Sequence, residues 1–229
     1  MEHTVKAFGE ELNNLTAEVA RLGGLAEAQV ADAIDAVARR DSGLAQAVIE
    51  RDEKLDLLQA EIERKAIRLI ALRQPVALDL RHTMAAMKIS MQLERCGDLA
   101  KNIAKRCLIL TQAEPLTPLT RSIERMGNVV AGRLKEVLDS YTSADVERAV
   151  SVWSRDHEVD EHYNSLFREL LTYMMGDPRT INSCAHLLFI AKNLERIGDH
   201  ATNVAEIVNF EITGEEMTAE RPKSNALLA

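Results

Sequence analysis

The sequence predicts an all-α protein built as two tandem three-helix bundles, six long helices in all. Three observations predict it. Apolar residues recur at three- and four-residue spacing along almost the whole chain, the pattern of amphipathic helices. Turn punctuation is sparse, with 10 Gly and 5 Pro in 229 residues, fewer than a many-stranded sheet needs. Motifs of the first half return in the second half at a nearly constant offset, the mark of an internal duplication.

The elements follow in order. The first helix is expected over residues 5–39, with a soft point at Gly23-Gly24. Asp41-Ser42-Gly43 interrupts it, and Ser42 is the expected cap of a second helix over 44–72. Pro75 marks a short turn, and the third helix spans 78–111. The segment TQAEPLTPLT, with Pro115 and Pro118, is the clearest internal boundary; it separates a first bundle, 1–112, from a second, 113–213. A fourth helix over 119–141 ends near Thr142-Ser143, with Ser143 as the expected next cap. A fifth runs over 145–175 to the stop signal Gly176-Asp177-Pro178, and a sixth covers 180–212. Residues 214–229 lose periodicity and are expected to form a flexible tail.

Composition narrows the function. With 28 Lys and Arg against 36 Asp and Glu, the net charge is −8, and no basic stripe of a nucleic-acid binder is present. Aromatics are 3%, too few for base-stacking surfaces. Three cysteines at no zinc spacing argue for a reducing compartment. The N-terminus shows no apolar signal region, and the longest uncharged stretch, INSCAHLLFIA, is far below a membrane span of about 20 residues. A cytosolic protein is expected, touching the membrane only peripherally through partners.

The repeated motifs are acidic. Arg51-Asp52-x-x-x-Asp56 returns as Arg155-Asp156-x-x-x-Asp160, 104 residues on. Glu94-Arg95-x-Gly97-Asp98-x-x-x-Asn102 returns as Glu195-Arg196-x-Gly198-Asp199-x-x-x-Asn203, 101 residues on. Arg21-Leu22-Gly23 matches Arg125-Met126-Gly127. On a helix, residues i and i+4 share a face, so each Asp/Glu-x-x-x-Asp is a like-charged pair that costs roughly 0.2–0.5 kcal/mol. Folding each half as a hairpin sets the pairs at one height: the first two are centred symmetrically about Pro75, the second two about Asp177-Pro178. Each bundle then gathers four carboxylates.

Such a patch needs a cation. Hard oxygen ligands suit Mg, Ca, Mn or Fe and accept Zn. Asn102 and Asn203, one turn further along, are candidate accessory ligands, and Gly97 and Gly198 leave room for another helix or a metal to approach. The competing explanation is ordinary surface ion pairing with Arg51, Arg95, Arg155 and Arg196. Cys96 takes the place of Ile197 in the other half and is expected to be core, as are Cys107 and Cys184. His200 points about 100° away from Asp199 on a helix; His82, His157, His162 and His186 form no constellation in the sequence. No phosphate loop and no catalytic triad is recognisable.

At LERCGDLAKNIAKR, LERIGDHATNVAEI, RDEKLD, RDHEVD and PVALDLRHTMAAMKI the chain resembles the PhoU family of bacterial phosphate-uptake regulators, over residues 3–213. The resemblance implies a metal site at Asp52, Asp56, Glu94 and Asp98 and another at Asp156, Asp160, Glu195 and Asp199, holding multinuclear iron or zinc clusters in some members. It implies a regulator of phosphate homeostasis, without catalysis, that damps high-affinity phosphate uptake and phosphate-starvation signalling. The implied partners are the ATPase subunit of the phosphate ABC transporter and the phosphate-sensing histidine kinase, at the cytoplasmic face of the membrane, and the implied assembly is a homodimer. Two alternatives compete. One is a di-metal carboxylate oxidoreductase, although the Glu-x-x-His motif of ferritin-like bundles is missing from the sequence. The other is a metal-free helical scaffold whose acids pair with arginines.

Overall fold

The computed structural model describes residues 2–217, with side chains from Phe8 onward. Among these residues the chain forms α1 (Glu2–Arg39), α2 (Ser42–Arg73), α3 (Ala77–Leu110), α4 (Thr117–Ser143), α5 (Val146–Ser154), α6 (His157–Gly176) and α7 (Ile181–Thr213), with one 3-10 turn, Pro178–Thr180, before α7. Helices α1, α2 and α3 pack on one another, and α4, α5–α6 and α7 repeat that arrangement. This is the doubled all-helical architecture expected from the repeats.

The helix ends show where local chemistry differs from expectation. Asp41, not Ser42, caps α2: its carboxylate accepts the Leu44 amide at 2.9 Å. Likewise Asp145, not Ser143, caps α5 by accepting the Arg148 amide at 3.0 Å. In both places the serine is absorbed into a helix, and a carboxylate at a helix N-terminus also meets the positive end of the helix dipole. Gly23-Gly24 is no soft point, because α1 runs straight through it. Of the expected tail, Asn209 donates to the Glu215 carbonyl at 2.8 Å and Met217 packs on the core, while residues 218–229 lie outside the described residues.

The expected fifth helix is present in two pieces. It breaks between Ser154 and His157, and its first-half counterpart α2 is unbroken. At the break the Arg155 carbonyl accepts the Glu158 amide at 3.1 Å and keeps a second lone pair for a side-chain donor. Arg133, buried at 2% exposure, donates to the Arg155 carbonyl and to Glu158 Oε2. The repeat counterpart of Arg133 is Gln29, too short to serve such a break.

The two halves are joined by helices that cross in antiparallel pairs. In α1 and α4, Gly23 lies beneath Leu138 and Gly127 lies beneath Ile34. These four residues are two repeat-equivalent pairs with their roles exchanged, so the crossing has local two-fold symmetry. In α3 and α7, Gln92 meets His200 at 2.7 Å, Arg106 meets His186 at 3.2 Å, and Arg81 donates to the Glu211 carbonyl at 3.3 Å. That register sets Cys96 and Ile197 at one level, both fully buried. The buried apolar side chains of both halves form one contiguous cluster. At roughly 25 cal/mol per Å² of apolar surface removed from water, this shared cluster is a dominant favourable contribution to the fold. The three cysteines are buried and free, as expected of core residues. Burial pushes the Cys96 thiol up to about 12, which leaves it inert.

Candidate functional site

Gly97 places α3 close against α2. A Cβ at this position would stand 3.3 Å from Leu55 and 3.5 Å from Asp52 Oδ1. Gly198 does the same for α7 against Val159 of α6, also at 3.3 Å. The sequence expectation that these glycines admit another helix is met on both sides.

This close packing assembles the first patch. Asp52 is 3% exposed, and its Oδ1 accepts from Gln29 Nε2 at 3.0 Å. Gln29 also donates to the Gly97 carbonyl at 3.3 Å, which fixes its amide between the two helices. Lys101 Nζ bonds Asp52 Oδ2 and lies 2.8 Å from Asp98 Oδ1. Burial would lower the Lys101 pKa, but the bonds to Asp52 and Asp98 outweigh it and hold the ammonium above its ordinary value. Asp56 is raised by burial and by the Asp52 and Asp98 charges. Glu94 is raised chiefly by burial, with Asp98, Asp56 and Asp52 adding to it against Arg95. The charges of Asp52 and Asp98 thus act on both Asp56 and Glu94.

The second patch is related but not identical. Asp156 is 3% exposed, and its Oδ1 accepts from the Thr202 hydroxyl at 2.8 Å. Thr202 is the repeat counterpart of Lys101. Glu195 is raised by burial and by Asp199 and Asp160, against Lys192, whose Nζ lies 2.8 Å from Glu195 Oε1. Around both patches the arginines behave as surface partners: Arg51 pairs with Asp32, and its counterpart Arg155 pairs with Glu136 at 2.6 Å. Arg95 stands 3.6 Å from Asp98. The accessory candidates diverge. Asn102 is exposed, while Asn203 donates across the two halves to Gln92 Oε1 at 3.1 Å.

As the side chains stand, no three His, Cys, Asp or Glu among the described residues converge closely enough to hold a metal ion. The donor set is hard oxygen throughout, which fits Mg, Mn, Fe or Ca once side chains rotate. In the first patch an ion must also displace Lys101 from Asp52 and Asp98.

Several residues were not singled out in the sequence. Gln29, Lys101 and Thr202 contact the patches and Arg133 holds the helix break beside the second one, while the pairing of Lys101 with Thr202 is legible in the two aligned motifs. A third polar cluster joins the halves elsewhere. His82 of α3 contacts Thr16 Oγ1 of α1 at 2.7 Å through Nε2 and Glu211 of α7 through Nδ1. Its members are too far apart in sequence for any spacing rule to connect them.

The fold and site define a class: a duplicated three-helix-bundle protein with an acidic patch on each half. The model of the PhoU domain matches twice, at residues 19–107 and 123–208. The chain is 73% identical over 226 residues to the phosphate-specific transport system accessory protein PhoU homolog of Caulobacter vibrioides (strain NA1000 / CB15N), covering 99% of this chain and 98% of the relative. It is 50% identical over 223 residues to the homolog from Rhizobium meliloti (strain 1021), covering 97% and 94%. The crystal structure of PhoU from Pseudomonas aeruginosa superposes with a TM-score of 0.85 at 37% identity, covering 91% of this chain and all of that one. The phosphate transport system regulatory protein PhoU from Streptococcus pneumoniae superposes at 0.84 with 29% identity, covering 93% and 100%. The chain belongs to the PhoU family.

Proposed function

We propose that this chain is an accessory protein of a phosphate-specific transport system and a negative regulator of high-affinity phosphate uptake and starvation signalling. The observation that carries this is end-to-end similarity, 73% over 226 residues, to a protein named as a phosphate-specific transport system accessory protein; the negative sign of the regulation is part of the proposal. The family is one of accessory and regulatory proteins, and the proposed role is regulatory, without catalysis. The proposed partners are the transporter's ATPase subunit and the phosphate-sensing histidine kinase, met by a homodimer at the cytoplasmic face of the membrane. No described helix is long and apolar enough to cross a membrane, so attachment through partners suits the chain.

A metal ion belongs to this reading as a proposal. Asp156, Asp160, Glu195 and Asp199 would hold it in the second bundle, and Asp52, Asp56, Glu94 and Asp98 are the corresponding first-bundle set. When bound, iron or zinc would neutralise the clustered carboxylates and offer oxygen donors an open coordination position. The chain's own residues set the frame: Thr202 orients Asp156, and Gln29 orients Asp52.

Deletion of the gene in its host tests the function. Phosphate uptake should rise, or starvation reporters should switch on, in phosphate-rich medium, and plasmid-borne protein should reverse it. Uptake and reporters that stay at the parental level would refute the proposal.

A further inference from the structure

The two carboxylate patches differ in one residue at the position where a cation is wanted. We propose that Lys101 is the resident cation of the first patch, so that the first bundle takes no metal ion there while that side chain is present. The inference deepens the metal reading above and limits it to one bundle.

The geometry supports this in three ways. The Lys101 ammonium sits between Asp52 and Asp98, one carboxylate from each of the two helices that build the patch. Asp52 is almost fully buried, so this is not the solvent-screened surface pair that contributes little. Pulling the ammonium away leaves a buried carboxylate with only the Gln29 amide as a donor, and uncompensated buried charge is strongly unfavourable. Thr202, in the same place in the second bundle, bonds the equivalent Asp156 through a neutral hydroxyl. The buried aspartate thus accepts a hydrogen bond from this position in both halves, from an ammonium in one and from a hydroxyl in the other. A divalent ion entering the first patch must expel an ammonium; entering the second, it meets a hydroxyl at that point.

The test uses full-length protein without a histidine tag, stripped with chelator and dialysed against Mn2+ alone. Bound Mn2+ is counted by elemental analysis. Lys101→Thr copies the second half, and Lys101→Gln keeps a long polar stem should the threonine variant fold poorly. Either variant should bind at least one more Mn2+ per chain than the parent. Adding Asp98→Asn should abolish that gain, which places the new ion in the first patch. Thr202→Lys should reduce whatever the parent binds. Equal uptake by parent and both Lys101 variants would overturn the proposal. So would a parent that loses comparable Mn2+ to Asp98→Asn and to Asp199→Asn, although the metal reading would then survive for both bundles. A parent that binds none while the Lys101 variants bind some would defeat the metal reading for the second patch and uphold the role of Lys101.

Discussion

Gly127 of α4 lies so close beneath Ile34 of α1 that a Cβ on the glycine would stand 2.8 Å from Ile34 Cγ1. The mirror pair is Gly23 beneath Leu138, where the Cβ would stand 2.5 Å from Leu138 Cδ2. The two contacts look alike in distance but differ in the neighbour's freedom. Leu138 meets the glycine with the tip of a flexible side chain. Ile34 is branched at Cβ and held to one preferred rotamer in a helix.

Gly127→Ala should therefore destabilise the protein, by about 1–2 kcal/mol, because overpacking costs about 1–3 kcal/mol and the gain in helix propensity recovers up to about 1. Gly23→Ala should be close to neutral. Gly132→Ala, with nothing within 4 Å of its new methyl group, should stabilise by up to about 1 kcal/mol. Urea melts of the three variants give the ranking. A Gly127→Ala variant as stable as Gly132→Ala would show that α1 and α4 separate at no cost.

His82 should make stability depend on pH. The Glu211 carboxylate raises its pKa through a hydrogen bond, against burial. A histidine raised in the folded state contributes stability that is fully present below about pH 6.5 and is lost as pH rises through the raised folded value. The stability difference between parent and His82→Gln should be largest near pH 5.5 and shrink toward pH 8.5. In a Glu211→Gln background that pH dependence should flatten. A difference that is constant with pH would mean His82 stays neutral in its contact with Glu211.

Glu94 carries the opposite sign. Its carboxyl is raised by burial and by Asp98, Asp56 and Asp52, so ionising it in the folded state disfavours folding as pH climbs above its ordinary value of 4.5. In metal-free protein at pH 7, Glu94→Gln should raise the melting temperature, by about 1 °C if the relief is that of one like-charge pair. Near pH 4 the gain should vanish. Calorimetry at the two pH values decides, and a lower melting temperature at pH 7 would show that the Arg95 guanidinium, 3.5 Å from Glu94, outweighs burial and the neighbouring acids.

Arg133→Gln copies Gln29 into the second half. It removes the side-chain donor to the Arg155 carbonyl and to the Glu158 carboxylate, inside a site that water reaches poorly. Losing a charge-assisted hydrogen bond of this kind should cost about 1.5–3 kcal/mol. Amide hydrogen exchange should accelerate around the Ser154–His157 break and leave α2 unchanged. Unaltered exchange there would show that the break is held by packing alone.

Much of this molecule was legible in one dimension. Helical periodicity, Pro75, Pro115, Pro118 and the Gly176-Asp177-Pro178 stop located the elements, because amphipathic spacing and proline's missing amide act locally. The i, i+4 spacing and the repeat offsets also told which stretches of α2 and α3 lie side by side, since a hairpin with a short turn has little choice of register, and Gly97 packs against Asp52 and Leu55. The caps at Asp41 and Asp145 were missed because a serine stood close to each, and only the backbone geometry shows which residue lies outside the helix.

By itself the sequence determined an all-helical duplicated chain with four like-charged pairs, a composition unlike that of nucleic-acid binders, and a likeness to one family. Only the tertiary structure decided what stands beside those acids. It put Lys101 between Asp52 and Asp98, gave Asp156 to Thr202, broke the fifth helix over Arg133, and tied His82 to Thr16 and Glu211. The reason is one of range. Periodicity and turn chemistry act over a few residues, whereas the partner of a buried charge is whichever long side chain the packing of distant helices brings within about 3 Å.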